Sequence, residues 1–153
     1  MDDVPIDTRV YRHLVDSLYV DAMVLADEAR AYFDDGGRLD RDGLDPMMRV
    51  GFSCESLKVT TRLMHVIAWL LTQRAVQAGE MTPGDALDPN RRLGTAPESD
   101  AALVDRLPPK ARDIVDTSID LFRRTARLDA IMATPVATAS PVQRMLATIA
   151  GSF

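Results

Sequence analysis

The side chains with the widest chemical repertoire in this sequence are one cysteine and two histidines, and their surroundings decide what they can do. Cys54 and His65 fall on one predicted helix, whereas His13 falls on an earlier helix among charged neighbours. A zinc or di-metal site on helices needs patterns such as HExxH or paired ExxH, and neither histidine belongs to one. We therefore expect both histidines to be solvated or to lie at the edge of the core. Cys54 is expected to be a small buried side chain.

The acidic stretch from Asp34 to Gly43 invites comparison with a calcium-binding loop, because aspartates and glycines dominate it. Its glycines stand at the wrong offsets, arginines alternate with the aspartates, and no bidentate glutamate follows at the required distance. The motifs GxGxxG, Walker A, GxSxG and CxxC are absent from the sequence. The stretch is therefore predicted to be a solvated turn, and we predict no catalytic residue, no metal ligand and no cofactor.

Arginines on and after the central helix are the remaining candidates for function. Two interpretations of the polar residues on this helix stay open: a solvated face with local pairs such as Glu55 and Lys58, or a recognition surface. Two features favour a recognition surface. The guanidinium group of arginine presents planar pairs of N–H donors that suit carboxylates, and the only tryptophan, Trp69, lies on the same helix. The candidate partner-binding arginines are Arg62, Arg74, Arg91 and Arg92.

Helices must position these residues, because apolar side chains recur every three or four residues over most of the chain. A first helix is predicted over residues 7–35 and a third over residues 108–132. Between them, Asp45 is a good N-cap and Pro46 suits the first turn of a central helix that reaches Gly79. The sequence therefore predicts an all-α fold, an antiparallel three-helix bundle with a long central helix.

The central helix carries two apolar stripes, which is more than one neighbouring helix can bury. One stripe alternates steps of three and four residues, the spacing of bundle and coiled-coil seams, through Met47, Val50, Cys54, Leu57, Thr61, Met64, Ala68, Leu71 and Ala75. The other lies beside it and consists of Val59, Leu63, Val66 and Leu70. We therefore expect this helix to touch several neighbours, some of them in another subunit.

Two segments stand apart from the helical pattern. Residues 80–107 are rich in proline, glycine and aspartate and are predicted to form a long loop before the third helix. Residues 134–153 are predicted to be a flexible tail with a short amphipathic helix, beyond a bundle domain of residues 1–133. The tail residues expected to contact a partner are Val142, Met145, Leu146, Ile149 and Phe153.

The net charge of the chain limits the kinds of partner that it is expected to bind. The chain has 18 basic and 23 acidic residues, a net charge of −5, which argues against nucleic acid and anionic membranes as partners. The longest apolar run, residues 66–71, is too short to cross a bilayer, and the first residues lack a signal-peptide pattern. With a single cysteine as well, the expected compartment is the cytoplasm.

Several stretches resemble the RcdA family, the regulators of CtrA degradation that act as adaptors in cell-cycle proteolysis in alphaproteobacteria. The central helix carries the main resemblance, in residues 55–64 (ESLKVTTRLM), 69–76 (WLLTQRAV) and 79–81 (GEM). The flanking matches are residues 31–34 (AYFD), 91–93 (RRL), 121–122 (LF), 127–129 (RLD) and 140–142 (SPV). Nearly the whole chain is covered.

The resemblance implies a homodimeric three-helix bundle without catalytic activity. It further implies that the protein joins the ClpXP protease through a CpdR-like response regulator and delivers protein cargo, such as the cell-cycle regulator CtrA. A PopA-like effector carrying cyclic di-GMP is implied as another partner, and the C-terminal segment as the region of partner contact. Recruitment to a cell pole accompanies this expected function.

Two other functions stay open on sequence grounds. A purely structural dimer that uses its long helix as a scaffold would need no protease. A helical-bundle protein that binds a ligand between its helices would draw on Cys54, His65 and Arg62, which share the central helix.

Overall fold

Regular structure in this chain is helical throughout the part that the computed structural model describes, residues 8–133. The helices are α1 (Thr8–Ala31), α2 (Arg38–Asp42), α3 (Pro46–Gln77), α4 (Pro83–Ala86), α5 (Ala101–Val104) and α6 (Pro109–Ala133). A π-helical turn, Tyr32–Gly36, follows α1, and a 3₁₀ turn, Pro89–Arg91, follows α4. The predicted all-α fold with a long central helix is confirmed.

The start of α3 follows the sequence prediction closely. The Asp45 carboxylate accepts a hydrogen bond of 2.9 Å from the Met48 amide, and Pro46 occupies the first turn. The first amides of a helix have no carbonyl partner within the helix. Asp45 accepts a hydrogen bond from one of them, and Pro46 has no amide hydrogen that would need a partner. The 32 residues of α3 span about 48 Å at 1.5 Å per residue. This length allows α3 to pack along both α1 and α6.

The direction of α1 is opposite to that of both long partners. At its start, the Tyr11 hydroxyl donates a 2.6 Å hydrogen bond to Gln73, near the end of α3. Burial and the charge of Asp129, near the end of α6, raise the pKa of the Tyr11 hydroxyl. At the other end of α1, Glu28 pairs with Lys110 in the first turn of α6. The antiparallel arrangement therefore holds for α1 against α3 and against α6.

By contrast, α3 and α6 run in the same direction. Arg62 hydrogen bonds to Ser118, and further along both helices Trp69 hydrogen bonds to Asp129. The predicted long loop explains this geometry, because residues 78–108 carry the chain back along the bundle before α6 begins. Two single-turn helices and one 3₁₀ turn interrupt this connection, hereafter the return segment.

The end of α1 depends on a glycine for a steric reason. The Gly37 amide donates a 2.6 Å hydrogen bond to the Tyr32 carbonyl, and a Cβ at Gly37 would lie 2.7 Å from that oxygen. Its φ of −90° is in the ordinary region. Close approach to the Tyr32 carbonyl, and not a left-handed backbone, is therefore what requires glycine at this position.

The return segment packs against α3 at a second glycine. A Cβ at Gly51 would lie 2.7 Å from a terminal carbon of Leu103, so the Leu103 side chain occupies the space that other residues would fill. Because Gly51 stands inside a helix, it weakens the helix relative to alanine. Its role is to admit α5 to the surface of α3.

We predict that Gly51→Val lowers the free energy of unfolding by about 1–3 kcal/mol, since overpacking displaces Leu103. Urea denaturation followed by circular dichroism measures the effect. Ser53→Val, at an exposed position of the same helix, is the control for the β-branched side chain. Equal unfolding midpoints for the two variants would show that α5 does not depend on this contact.

Candidate interaction surfaces

One of the two apolar stripes of α3 faces away from the bundle. The inner stripe of Val59, Leu63, Val66 and Leu70 is buried, as a core stripe should be. The other stripe, hereafter the α3 seam, consists of Met47, Val50, Cys54, Leu57, Thr61, Met64, Ala68, Leu71 and Ala75. Its large side chains are between 48% and 79% exposed. Nothing in the described part of the chain covers this surface.

Cys54 lies on this exposed seam, so the expectation of a small buried side chain is wrong. The physical reason is a rotation of the buried face by about one position: α3 turns Phe52, Glu55 and Val59 towards its neighbours instead of Cys54 and Leu57. A sequence pattern shows that two faces are apolar, but not which of them meets α1 and α6.

The spacing of the seam determines what it can bind. Steps of three and four residues average 3.5, the repeat at which two helices pack side by side with interlocking side chains. An exposed apolar patch of several hundred Å² is typical of an interaction site in a protein that stays in solution. The seam is therefore suited to another helix.

A second feature is a buried charge network between α3, the return segment and α6. Arg62 is only 3% exposed, and its guanidinium donates hydrogen bonds to the Pro97 carbonyl (3.0 Å), the Ser99 hydroxyl (2.6 Å) and the Ser118 hydroxyl (3.3 Å). Burial lowers the pKa of Arg62, and the nearby carboxylate of Glu55 opposes that shift.

Glu55, which lies two helical turns before Arg62 on α3, completes this network. It is fully buried, accepts a hydrogen bond from the Ser99 hydroxyl, and forms an ion pair of 3.0 Å with Lys58. The local pair of Glu55 and Lys58 therefore exists, but the carboxylate is inside the protein instead of on a solvated face. Glu55, Arg62, Ser99 and Ser118 are hereafter the Arg62 network.

The network corrects the placement of Arg62, which the sequence puts on an outer face of the helix. In the structure its guanidinium is enclosed and holds the return segment, so it offers no exposed donor fork. Ser99 and Ser118 were not recognised from the sequence as part of a site. The available signal was the pair Glu55 and Arg62, two turns apart on one helix face among apolar residues.

Arg92 holds an earlier part of the return segment. It makes a two-pronged ion pair with Asp129 of α6, at 2.7 and 2.9 Å, which raises the pKa of Arg92. Asp129 also accepts a 3.0 Å hydrogen bond from the Trp69 indole. Arg92 and Trp69 therefore meet at one carboxylate of this chain.

The other two candidate arginines remain exposed. Arg74 lies 4.5 Å from the ring centre of Tyr19 and 3.9 Å from the carboxylate of Asp16, both on α1. Arg91 contacts the Met81 sulfur at 3.3 Å. The four arginines are therefore divided between internal contacts and separate surfaces, and their role in partner binding stays a prediction.

The candidate residues of the tail lie outside the described residues. Their assignment to partner contact, and the division of the chain at residue 133, stay predictions.

The histidines and the cysteine do not form a shared site. His13 is exposed, whereas His65 is half-buried with a buried Nδ1 that has no hydrogen-bond partner. Cys54 and His65 are separated by about 16 Å along α3 at 1.5 Å per residue. Among residues 8–133, no three histidine, cysteine, aspartate or glutamate side chains form a group that could hold a metal ion. None of the helices described there is both long and apolar enough to span a membrane.

Comparisons with known proteins identify a family and a similar crystal structure. A family model described as "Protein of unknown function (DUF1465)" matches residues 6–153. The chain is similar to the crystal structure of RcdA from Caulobacter crescentus CB15, with 34% sequence identity and a TM-score of 0.64. The match covers 78% of this chain and 90% of that chain. A search of curated proteins found no match.

Removal of the buried guanidinium tests the Arg62 network. We expect Arg62→Met to lower the free energy of unfolding by about 3–5 kcal/mol, because Glu55 loses one of its two counter-charges and the hydrogen bonds to Pro97, Ser99 and Ser118 are lost. The double variant Glu55→Leu/Arg62→Met should recover much of this loss. Urea denaturation gives the energies, and cleavage after Glu98 by a glutamate-specific protease reports release of the segment. An Arg62→Met variant as stable as the parent would contradict the assigned role.

Proposed function

The chain belongs to the DUF1465 family of RcdA-like proteins, and we therefore propose that it is a non-enzymatic adaptor for regulated proteolysis. In this role it would link protein cargo and other adaptors to the ClpXP protease. The observation that carries the proposal is the 34% identity with RcdA over 90% of that chain.

The proposed partners are those that the family resemblance implies. A CpdR-like response regulator would connect the protein to ClpXP, a PopA-like effector carrying cyclic di-GMP would dock on it, and CtrA would be one cargo. The proposed location is the cytoplasm, with recruitment to a cell pole. Candidate contact residues on the described surface are Arg74 and Arg91, both of which are exposed. The apolar residues of the tail supply the other proposed contact.

A second copy of this chain is the proposed occupant of the α3 seam. The seam runs through four consecutive seven-residue repeats, so two copies of α3 can pack along most of their length. Burial of five large exposed side chains on each copy would remove an apolar surface that rarely stays bare. The proposed assembly is therefore a homodimer joined through α3.

A structural dimeric scaffold is the second candidate function. The seam and the length of α3 favour it, because both would serve a rigid dimer that has no effect on proteolysis. The rate of cargo degradation distinguishes the two functions, since only an adaptor changes it.

We predict that deletion of residues 135–153 abolishes cargo delivery and leaves the helical bundle intact. The measurement is the rate at which ClpXP degrades CtrA in the presence of a CpdR-like regulator and a PopA-like effector, with and without this protein. Circular dichroism of the truncated chain is the control for folding. Full stimulation by the truncated protein would refute the tail assignment, and no stimulation by the intact protein would favour the scaffold.

The dimer has its own test. We predict that Leu57→Lys/Met64→Lys halves the mass measured by light scattering at micromolar concentration, because four lysines would meet in the paired seam. Val24→Lys replaces an equally exposed apolar residue of α1 and should leave the mass unchanged. If the parent chain already has the mass of one copy, the seam has another occupant.

A further inference from the structure

A groove that the family comparison does not assign lies between the return segment and α6. Its cavity has a volume of about 520 Å³, within the range of ligand sites in proteins. Residues 94–99 form one wall, and Ile119, Phe122 and Arg123 of α6 form the other. Arg62 closes the inner end.

The wall formed by the return segment has backbone amides and carbonyls that make no backbone hydrogen bonds within the described chain. Residues 93–100 belong to no helix or strand, and Gly94 within them has a φ of +71°. In the described part of the chain, no amide of residues 94–99 donates to another backbone carbonyl, and only the Pro97 carbonyl is bonded, to Arg62. Amides and carbonyls without a partner in the chain can hydrogen bond to the backbone of a bound peptide, as those of an exposed strand edge do.

The same wall is held in place before any ligand arrives. Arg62 bonds both Pro97 and Ser99, and Ser99 in turn bonds the buried carboxylate of Glu55. A segment fixed in this way loses little conformational freedom on binding, which favours affinity. The Arg62 network thus shapes the groove as well as the fold.

The opposite wall combines apolar and cationic side chains. Ile119 and Phe122 are half-buried and leave part of their surface to the groove. Arg123 is exposed and has no hydrogen bond or ion pair among residues 8–133, although the chain as a whole carries a net charge of −5. The groove also contains one carboxylate, Glu98. A free cation beside an apolar surface favours a ligand that has both a carboxylate and an apolar side chain.

We propose that this groove binds a short extended peptide segment of another protein, with acidic and apolar residues in alternation. Its backbone hydrogen bonds to free backbone groups of Thr95, Ala96 and Glu98, an apolar side chain contacts Ile119 and Phe122, and a carboxylate pairs with Arg123. The tail does not fit this description, because residues 134–153 include no aspartate or glutamate. The site goes beyond the adaptor function and does not depend on a protease.

A panel of fluorescein-labelled hexapeptides tests the proposal on the full chain by fluorescence anisotropy. Half of the panel alternates aspartate or glutamate with valine, leucine or phenylalanine, and the matched half has asparagine or glutamine in place of the acids. We expect saturable binding of acidic peptides, weakened at least tenfold by Arg123→Glu. Arg127→Glu changes an exposed arginine of α6 outside the groove and should leave binding unchanged.

Amide chemical shifts provide the second readout, because backbone pairing should perturb the amides of Thr95, Ala96 and Glu98 more than those in the rest of the described chain. Absence of saturable binding across the panel at millimolar peptide would overturn the proposal. So would equal binding of acidic and amide peptides, equal losses in the two charge variants, or full competition by free glutamate at the same concentration. The last two results would indicate general charge attraction or a simple carboxylate site.

Discussion

The position of the return segment depends on one buried cation. A guanidinium removed from water is costly unless hydrogen bonds and an opposite charge compensate it. The Arg62 network supplies both, from α3 itself, from α6 and from residues 97–99 of the return segment. Three parts of the chain that are distant in sequence must therefore meet at one point. This requirement fixes the level at which the return segment crosses the bundle, and with it the point at which α6 begins.

The same packing explains why α3 keeps an uncovered face. A helix at the centre of a bundle has room for only a few neighbours, and here α1, α6 and the return segment occupy three sides of α3. The positions that contact them include Glu55 and Arg62, which a core would not contain without the return segment. The seam, which carries no charged residue, is left outside. Contacts within the chain thus bury the face of α3 whose charged side chains need specific polar partners. They leave exposed the face that another apolar helix can cover.

Periodicity and capping were sufficient to predict the three long helices, including the first residues of α3 at Asp45 and Pro46. They were insufficient for burial, because the side of a helix that is covered depends on contacts distant in sequence. Cys54 and Arg62 illustrate this limit: one is exposed and the other buried, the reverse of what their residue types favour. Ser99 and Ser118 are individually unremarkable serines in the sequence. Only the fold brings them to the guanidinium from 37 and 56 residues away.

The parallel course of α3 and α6 has a consequence for valency. Because α1 begins where α6 ends, both ends of the described chain, Thr8 and Ala133, leave the bundle at one pole of the rod. In a dimer, the relative orientation of the two α3 helices then decides how far apart the two tails emerge. A parallel pair would place the two Ala133 residues at one end, where any two binding segments attached to them would meet one target at high effective concentration. An antiparallel pair would separate the two Ala133 residues by about the 48 Å length of α3, so that segments attached to them would meet separate targets.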